Sequence, residues 1–263
     1  MRPYLYMTKM KLLLSLNYRF DFFITLFVQF TLLFTSAFFW KAAYKNATIV
    51  GMVSEEQMLI YSVMSIILAN IFITTVESNI KSKVRMGNVA VDYIKPVNVF
   101  LMYLSEDIGN MVTSVIQRVI PVLIGACLFI VVPVPASPVH FVLFLISSGF
   151  SYIILWQISV IIGLLYFKFI DMGPVGIIKD YLIKIFSGAF VPIWFFPHSF
   201  QEVLKYLPFV YTYQLPLSLF IGRTSAADGV KGMLVQVIWI IIFGLSFLKM
   251  KRYVEQNVFV QGG

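Results

Sequence analysis

Glu77–Val99 reads ESNIKSKVRMGNVAVDYIKPVNV and decides how the rest of the chain is understood. It is a charged island, with Lys81, Lys83, Arg85 and Lys95 set against Glu77 and Asp92. An apolar run enters it and another leaves it a few residues later. Ile80 and Val84 stand four apart and share one helical face. Gly87-Asn88 breaks that pattern, and a second short apolar set, Val91 and Ile94, follows. Pro96 disfavours helix at Lys95. The stretch predicts two short helical pieces bent at Gly87, joining two apolar segments.

Those flanking segments belong to a chain whose main solvent is a bilayer. Of 263 residues, 60% are hydrophobic and 12% charged, against about 25% charged in soluble domains. The mean hydropathy of +0.88 points the same way. One membrane span takes about 20 apolar residues, so the length allows about six or seven spans and no sizeable soluble domain. The net charge of +8 fits positively charged inner loops and is not read as a nucleic-acid surface. The single cysteine, Cys127, excludes an internal disulfide framework or a cysteine metal cluster. His140 and His198 lack H-E-x-x-H spacing and are read as interfacial packing.

Outward from the connector, the expected fold is all-α and polytopic, a single transmembrane domain over residues 1–263. Residues 1–18 are basic and amphipathic, which suits a helix lying in the headgroup layer. The following apolar core, Phe22 to Trp40, is longer than a signal-peptide core of about 7–15 residues. Six spans are expected: Phe20–Trp40, Gln57–Val76, Tyr103–Val132 with a kink at Pro121, Val139–Phe167, Ile177–Phe195 and Gly232–Leu248. Pro197, Pro208 and Pro216 cut residues 196–231 into pieces too short to cross, so an outer re-entrant helix pair is expected there. It must be buried in protein or face water, because lipid cannot satisfy bent backbone. With the N-terminus inside, 14 of the 20 basic residues fall on the inner side and 5 on the outer, with Arg118 within a span. Both termini and the connector are therefore expected in the cytoplasm.

This order of elements resembles the permease subunits of ATP-binding cassette exporters with six spans per subunit. Arg85-Met86-Gly87 and then Tyr93-Ile94-Lys95-Pro96-Val97 resemble the family's coupling segment. Many relatives carry an acidic residue and a threonine around that glycine, where this chain has Met86 and Asn88. SGAFVPIWFFPHSFQEVLKYLPFVYTYQLPLSLFIG, Ser187 to Gly222, is similar to the family's outer segment. Tyr18-Arg19-Phe20-Asp21-Phe22 resembles the start of span one in small bacterial permeases that often occur as paired subunits beside a separate ATPase. The resemblance implies a half-transporter: a second permease, identical or a paralogue, completes the path. It also implies a cytoplasmic ATPase dimer carrying ATP and Mg. The chain itself has no G-x-x-x-x-G-K-[ST] loop, so no nucleotide or other cofactor is expected on it, and no enzymatic role.

On that reading Ile80, Lys81, Val84, Arg85, Gly87 and Lys95 are the expected ATPase-coupling residues, in the stretch 77–99. Arg118 is the basic residue deep in an apolar run, which marks a functional site by default. Three roles stand for it: lining the path, holding a lipid phosphate, or pairing with Glu106 or Asp107. Trp194, Phe195, Phe196, Phe200 and Tyr211 read equally as an outer gate or as an interfacial aromatic belt. An amphipathic cargo (a lipid, a peptide antibiotic or a drug) suits an aromatic path. Two other classes compete. An ion-gradient transporter or channel wants midspan charges and broken helices, and only Arg118 and Pro121 offer any. A membrane-embedded enzyme wants clustered acids or histidines, whereas the acids here sit at span ends.

Overall fold

The structure is a computed structural model that describes residues 6–10, 13, 19–45, 49–50, 53–94, 96–169 and 172–257. Most of the expected interfacial segment 1–18, Lys95, and the side chains of Arg19 and Asp21 lie outside the described residues. The regular secondary structure of the described part is helical apart from a pair of two-residue antiparallel strands, Ile49–Val50 (β1) and Val53–Ser54 (β2).

Among the described residues, five helical stretches are long and apolar enough to cross a bilayer. The first is α1, Arg19–Tyr44. The second begins with α2, Glu55–Ile71, where Ser54 and Gln57 form a capping box that satisfies two otherwise orphaned groups. Its helix pauses over residues 72–75 and resumes as α3, Val76–Arg85. After the short α4, Val89–Ile94, Asn98 caps the third stretch by accepting from the backbone of Phe100 and Leu101. That stretch runs through α5, Val99–Ser114, a π-helical turn at Val115–Val119, and α6, Ile120–Phe129. Pro121 has no N–H to give, and the helix absorbs this one residue earlier, where Ile120 N–H bonds Val115. The expected bend is thus a π turn. The fourth stretch is α7, Pro138–Leu165, capped by Ser137 with proline at the first helical position. The last is α11, Ala226–Asn257.

The expected span Ile177–Phe195 takes a different form. Its helix, α8, covers Val175–Phe186 in 12 residues, about 18 Å at 1.5 Å per residue. The chain turns at Gly188, whose φ of 84° is left-handed. A 3₁₀ turn at Ile193–Phe195, α9 at His198–Leu204, another 3₁₀ turn at Phe209–Tyr211 and α10 at Gln214–Phe220 follow. Pro192, Pro197 and Pro208 each sit immediately before one of these pieces, where a missing N–H costs nothing. Gln214 N–H returns to Ser187 O at 2.8 Å, so residues 188–213 leave and rejoin one level of the bundle.

α2 is central: the stretch Glu55–Arg85 that it begins is 67% buried over its most apolar part, against 11% for the stretches of α1 and α11. Its neighbours α1, α6, α7, α8 and α10 complete one core around Tyr61, Leu68, Val122 and Leu217. A second core at the connector end joins Val76 and Ile80 of α3 to Phe100 and Tyr103 of α5, Val160 and Leu164 of α7, and Val254 of α11. α7 and α11 are tied by Gln157, which donates to Ile240 O at 3.1 Å. They are also tied by Gln236, fully buried between Ser147, Ser151 and Tyr211 O. Large apolar side chains such as Phe23, Phe27, Phe38, Leu234, Ile241 and Leu245 cover the outside of α1 and α11. A bilayer accepts these faces and water does not.

Candidate functional site

The connector is an elbow. α3 ends in a reverse turn where Asn88 N–H bonds Lys83 O at 3.0 Å and Gly87 N–H bonds Val84 O at 3.2 Å. Gly87 takes a φ of 69°. This is a helix-ending motif that selects glycine at the left-handed position, and it produces the bend expected at Gly87. Lys83 then pairs with Asp92 across the elbow. Tyr103 OH donates to the same carboxylate at 2.7 Å, and the Lys83 ammonium lies 4.8 Å from the Tyr103 ring centre. The two arms are therefore fastened to each other and to α5.

One face of the elbow is anchored and the other is open. Ile80 is 3% exposed, and its Cδ1 lies 2.8 Å from where a side chain on Gly163 would begin. It is an internal anchor, away from the surface a partner can reach. Val84 is half-buried, while Lys81 donates to Gly173 O at 3.1 Å and lies over the Tyr166 ring. Arg85, Met86, Gly87 and Asn88 are exposed at the tip. Among the expected contact residues, Arg85 and Gly87 are thus the ones most open to a partner, joined by Met86, Asn88 and Val91.

At its root the elbow meets a polar network. Residues 72–75 interrupt the helix, and the buried Asp107 carboxylate supplies what the break lacks. It accepts from Thr75 N–H at 2.7 Å, Thr75 Oγ1 at 2.6 Å and Trp156 Nε1 at 3.1 Å. Asn110 donates to Thr75 Oγ1, and Asn79 to Glu106. On the other side Lys179 of α8 donates to Glu77 at 2.6 Å and to Ser159 at 3.1 Å. Thr74 and Ser159 bond each other at 2.9 Å. Gly176 leaves room for the Glu77 carboxylate, since a Cβ there would stand 2.0 Å from Oε1. The root thereby grips α5, α7 and α8 together. Sequence reasoning missed Asp107, Trp156 and Lys179 in this role. The signal was Thr74-Thr75 interrupting an apolar run, because a broken membrane helix needs an acceptor from elsewhere.

Between the root and the outer segment lies a cavity of about 180 Å³ whose lining includes Thr74, Ser159, Asp180, Lys184 and Tyr213. Arg118 lies in the π turn, half-buried. Asp107 and Glu106, the acids set against it in one of its three expected roles, bond at the root to Thr75 and to Asn79.

The segment expected on the outer side, residues 187–222, is fastened to α2. Tyr61 OH donates to Gly188 O at 2.8 Å and Ser65 Oγ to Ala189 O at 2.6 Å. Trp194 meets Tyr61 edge-on, and Phe195 stacks on Trp40. Arg223 sits 4.3 Å above the Trp194 ring, a favourable cation–aromatic placement. Tyr211 OH bonds Lys205 O at 2.9 Å, Phe196 is half-buried and Phe200 is exposed. The expected gate aromatics therefore divide, with Trp194, Phe195 and Tyr211 packed and Phe200 on the surface. Lys205 beside Glu202 holds that carboxyl below the usual range. His140 bridges Ser137 and Thr224 O, tying the start of α7 to the end of the outer segment.

Comparison with curated proteins and with solved structures gives no match. A family model described as ABC-2 family transporter protein matches residues 30–256, which takes in the elbow, its root and the outer segment. That family supplies membrane components of transporters and implies partnership with an ABC ATPase. The chain belongs to the ABC-2 transporter family and is a multi-pass membrane permease.

Proposed function

We propose that this permease is one half of an exporter, driven through the elbow by a separate cytoplasmic ATPase dimer that carries ATP and Mg. A second permease, identical or a paralogue, completes the path. α8 is the sixth membrane segment, and residues 188–213 form a re-entrant excursion on the outer side. Both termini and the elbow face the cytoplasm of what we take to be a bacterial cell. Cargo is amphipathic and passes the polar cavity beside α8 toward the outer aromatics.

The observation that carries this reading is the contrast between the elbow's two ends. Its tip is open and basic, while its root is bonded to three separate membrane helices. A rigid element open at one end and clamped at the other transmits displacement. ATP closure of the partner would push the tip at Arg85–Asn88, and the root would carry that motion to α5, α7 and α8.

The test is reconstitution with the candidate ATPase. Gly87→Val strains the left-handed turn, and Arg85→Glu reverses the tip charge. Both should lower transport per ATP hydrolysed while the complex stays assembled. Unchanged transport in an intact complex would remove the coupling role from the elbow.

A further inference from the structure

We propose that the cavity beside α8 is a binding site for the zwitterionic headgroup of an amphiphile, with an oxyanion at Lys184 and an ammonium at Asp180. The inference rests on the proposal that cargo passes this cavity, and it names the polar end of that cargo. The cavity measures about 180 Å³, and its lining includes Phe72, Thr74, Ser159, Asp180, Lys184 and Tyr213. That volume suits a headgroup and is below the about 300–1,000 Å³ of sites for whole drug-sized ligands, so the chain of the amphiphile lies outside it.

Some polar groups of the cavity are already spent. Thr74 and Ser159 bond each other at 2.9 Å. Ser159 also accepts from Lys179, whose charge is matched by Glu77 at 2.6 Å. Two charges remain. Asp180 meets Lys179 through Oδ1 at 3.1 Å, and its side chain is 60% exposed. Lys184 lies 5.8 Å from the Tyr181 ring centre and, among the described residues, has no carboxylate within ion-pair distance. An acid four residues before a base on a helix ordinarily pairs with it. Here Asp180 turns to Lys179 instead, and the two charges stand apart on one wall. Their backbone positions are about 6 Å apart along the axis, at 1.5 Å per residue, a span that the phosphate and ammonium of one headgroup bridge. Phe72 and Tyr213, edge to face at 5.1 Å, add aromatic rings, whose faces attract an ammonium. Charges inside a membrane protein are costly unless paired. A singly charged ligand would satisfy one of these groups and leave the other. A zwitterion satisfies both and brings no net charge into the membrane. Ala69, Ile73, Leu155 and Ile183 make the rest of the wall apolar, which suits a headgroup that enters with a chain attached.

Binding is measured on the full-length protein in maltoside micelles, whose headgroups carry no charge. Three probes share one pyrene-labelled chain and carry a phosphoethanolamine, a phosphoglycerol or a primary ammonium headgroup. The phosphoethanolamine probe should bind most tightly. Lys184→Gln should weaken the phosphoethanolamine and phosphoglycerol probes about tenfold, as loss of one charged hydrogen bond does, and spare the ammonium probe. Asp180→Asn should weaken the phosphoethanolamine and ammonium probes by a similar factor and spare the phosphoglycerol probe. A folding defect would weaken all three alike and cannot give this crossed pattern. Glycerophosphoethanolamine, which has no chain, is added as a competitor. Displacement by it at the concentration of the chained probe would keep the site and overturn its assignment to an amphiphile. ATP-driven export of the phosphoethanolamine probe is read separately, in vesicles holding the permease with its ATPase. The crossed pattern without export would keep the headgroup site and remove the cargo proposal. Equal binding of the three probes by wild type, or equal losses across them in either variant, would overturn the zwitterion site.

Discussion

Replacing Asp107 with alanine should loosen the root of the elbow while leaving its tip intact. The carboxylate accepts three hydrogen bonds from Thr75 N–H, Thr75 Oγ1 and Trp156 Nε1, all between 2.6 and 3.1 Å. Hydrogen bonds to a charged group contribute about 1.5–3 kcal/mol each, and a buried donor left unpaired costs about 1–3 kcal/mol. Removing a buried charge returns part of that, because its desolvation is no longer needed. The Thr75 hydroxyl can also rotate, which leaves Thr75 N–H and Trp156 N–H as the lasting orphans. Two such donors less the recovered desolvation give a net loss of about 2–3 kcal/mol. Local opening at the break should therefore become about 30- to 140-fold more frequent, at 1.4 kcal/mol per tenfold. Hydrogen exchange of a peptide covering residues 72–80, in the permease bound to its ATPase, reads this directly. Exchange at Thr75 should rise by that factor, with α2 before residue 71 unchanged. Asp107→Asn keeps one acceptor oxygen but sets an amide N–H₂ group toward one of the donors, so it should fall between. Wild-type exchange across residues 72–80 in the alanine variant would refute the clamp.

Three further perturbations test other parts of the same arrangement. Lys179→Met leaves Glu77 buried without its cation, which should destabilise by about 3 kcal/mol and lower the melting temperature. Glu77→Leu added to it should recover most of the loss, and failure of that rescue would remove the ion pair from the account. Gly163→Leu places a side chain where Ile80 Cδ1 already lies 2.8 Å away from a Cβ, an overpacking worth about 1–3 kcal/mol. Ile80→Ala should relieve it, whereas independent, additive losses would show that α3 does not pack there. Gly188→Ala meets both a left-handed φ and a Gln214 oxygen 2.3 Å away. It should cost about 1–2 kcal/mol from backbone strain alone and release the outer segment without altering ATPase binding; a melting temperature equal to wild type would contradict the turn.

Much of the elbow was legible in the sequence because its causes are local. Ile80 and Val84 set a helical period, and glycine is the residue that a left-handed helix end selects, so the bend at Gly87 follows from neighbours within a few positions. Which side of α3 faces inward was not legible. In a membrane protein apolar residues face both core and lipid, and only Gly163, far along the chain, explains why Ile80 is an anchor. The fifth apolar run shows the same limit. Its composition suits a span to Phe195, yet the helix stops at Phe186 because Tyr61 and Gln214 hold the turn at Gly188 from distant positions. The root was least legible, since Asp107 bonds Thr75 and Trp156 across 32 and 49 residues. In the third span, proline predicted a disturbance correctly but not its form, because a π turn shifts the register where a simple kink would have left a gap.

The most direct test places a cysteine at the elbow tip, Asn88→Cys, in a chain whose Cys127 is replaced by alanine, purified with its ATPase. A short bifunctional reagent should join position 88 to the ATPase subunit, and the yield should change between nucleotide-free and ATP-bound states. A complex that hydrolyses ATP and transports, yet gives no cross-link from position 88 in either state, would contradict the claim that force enters this permease through the elbow.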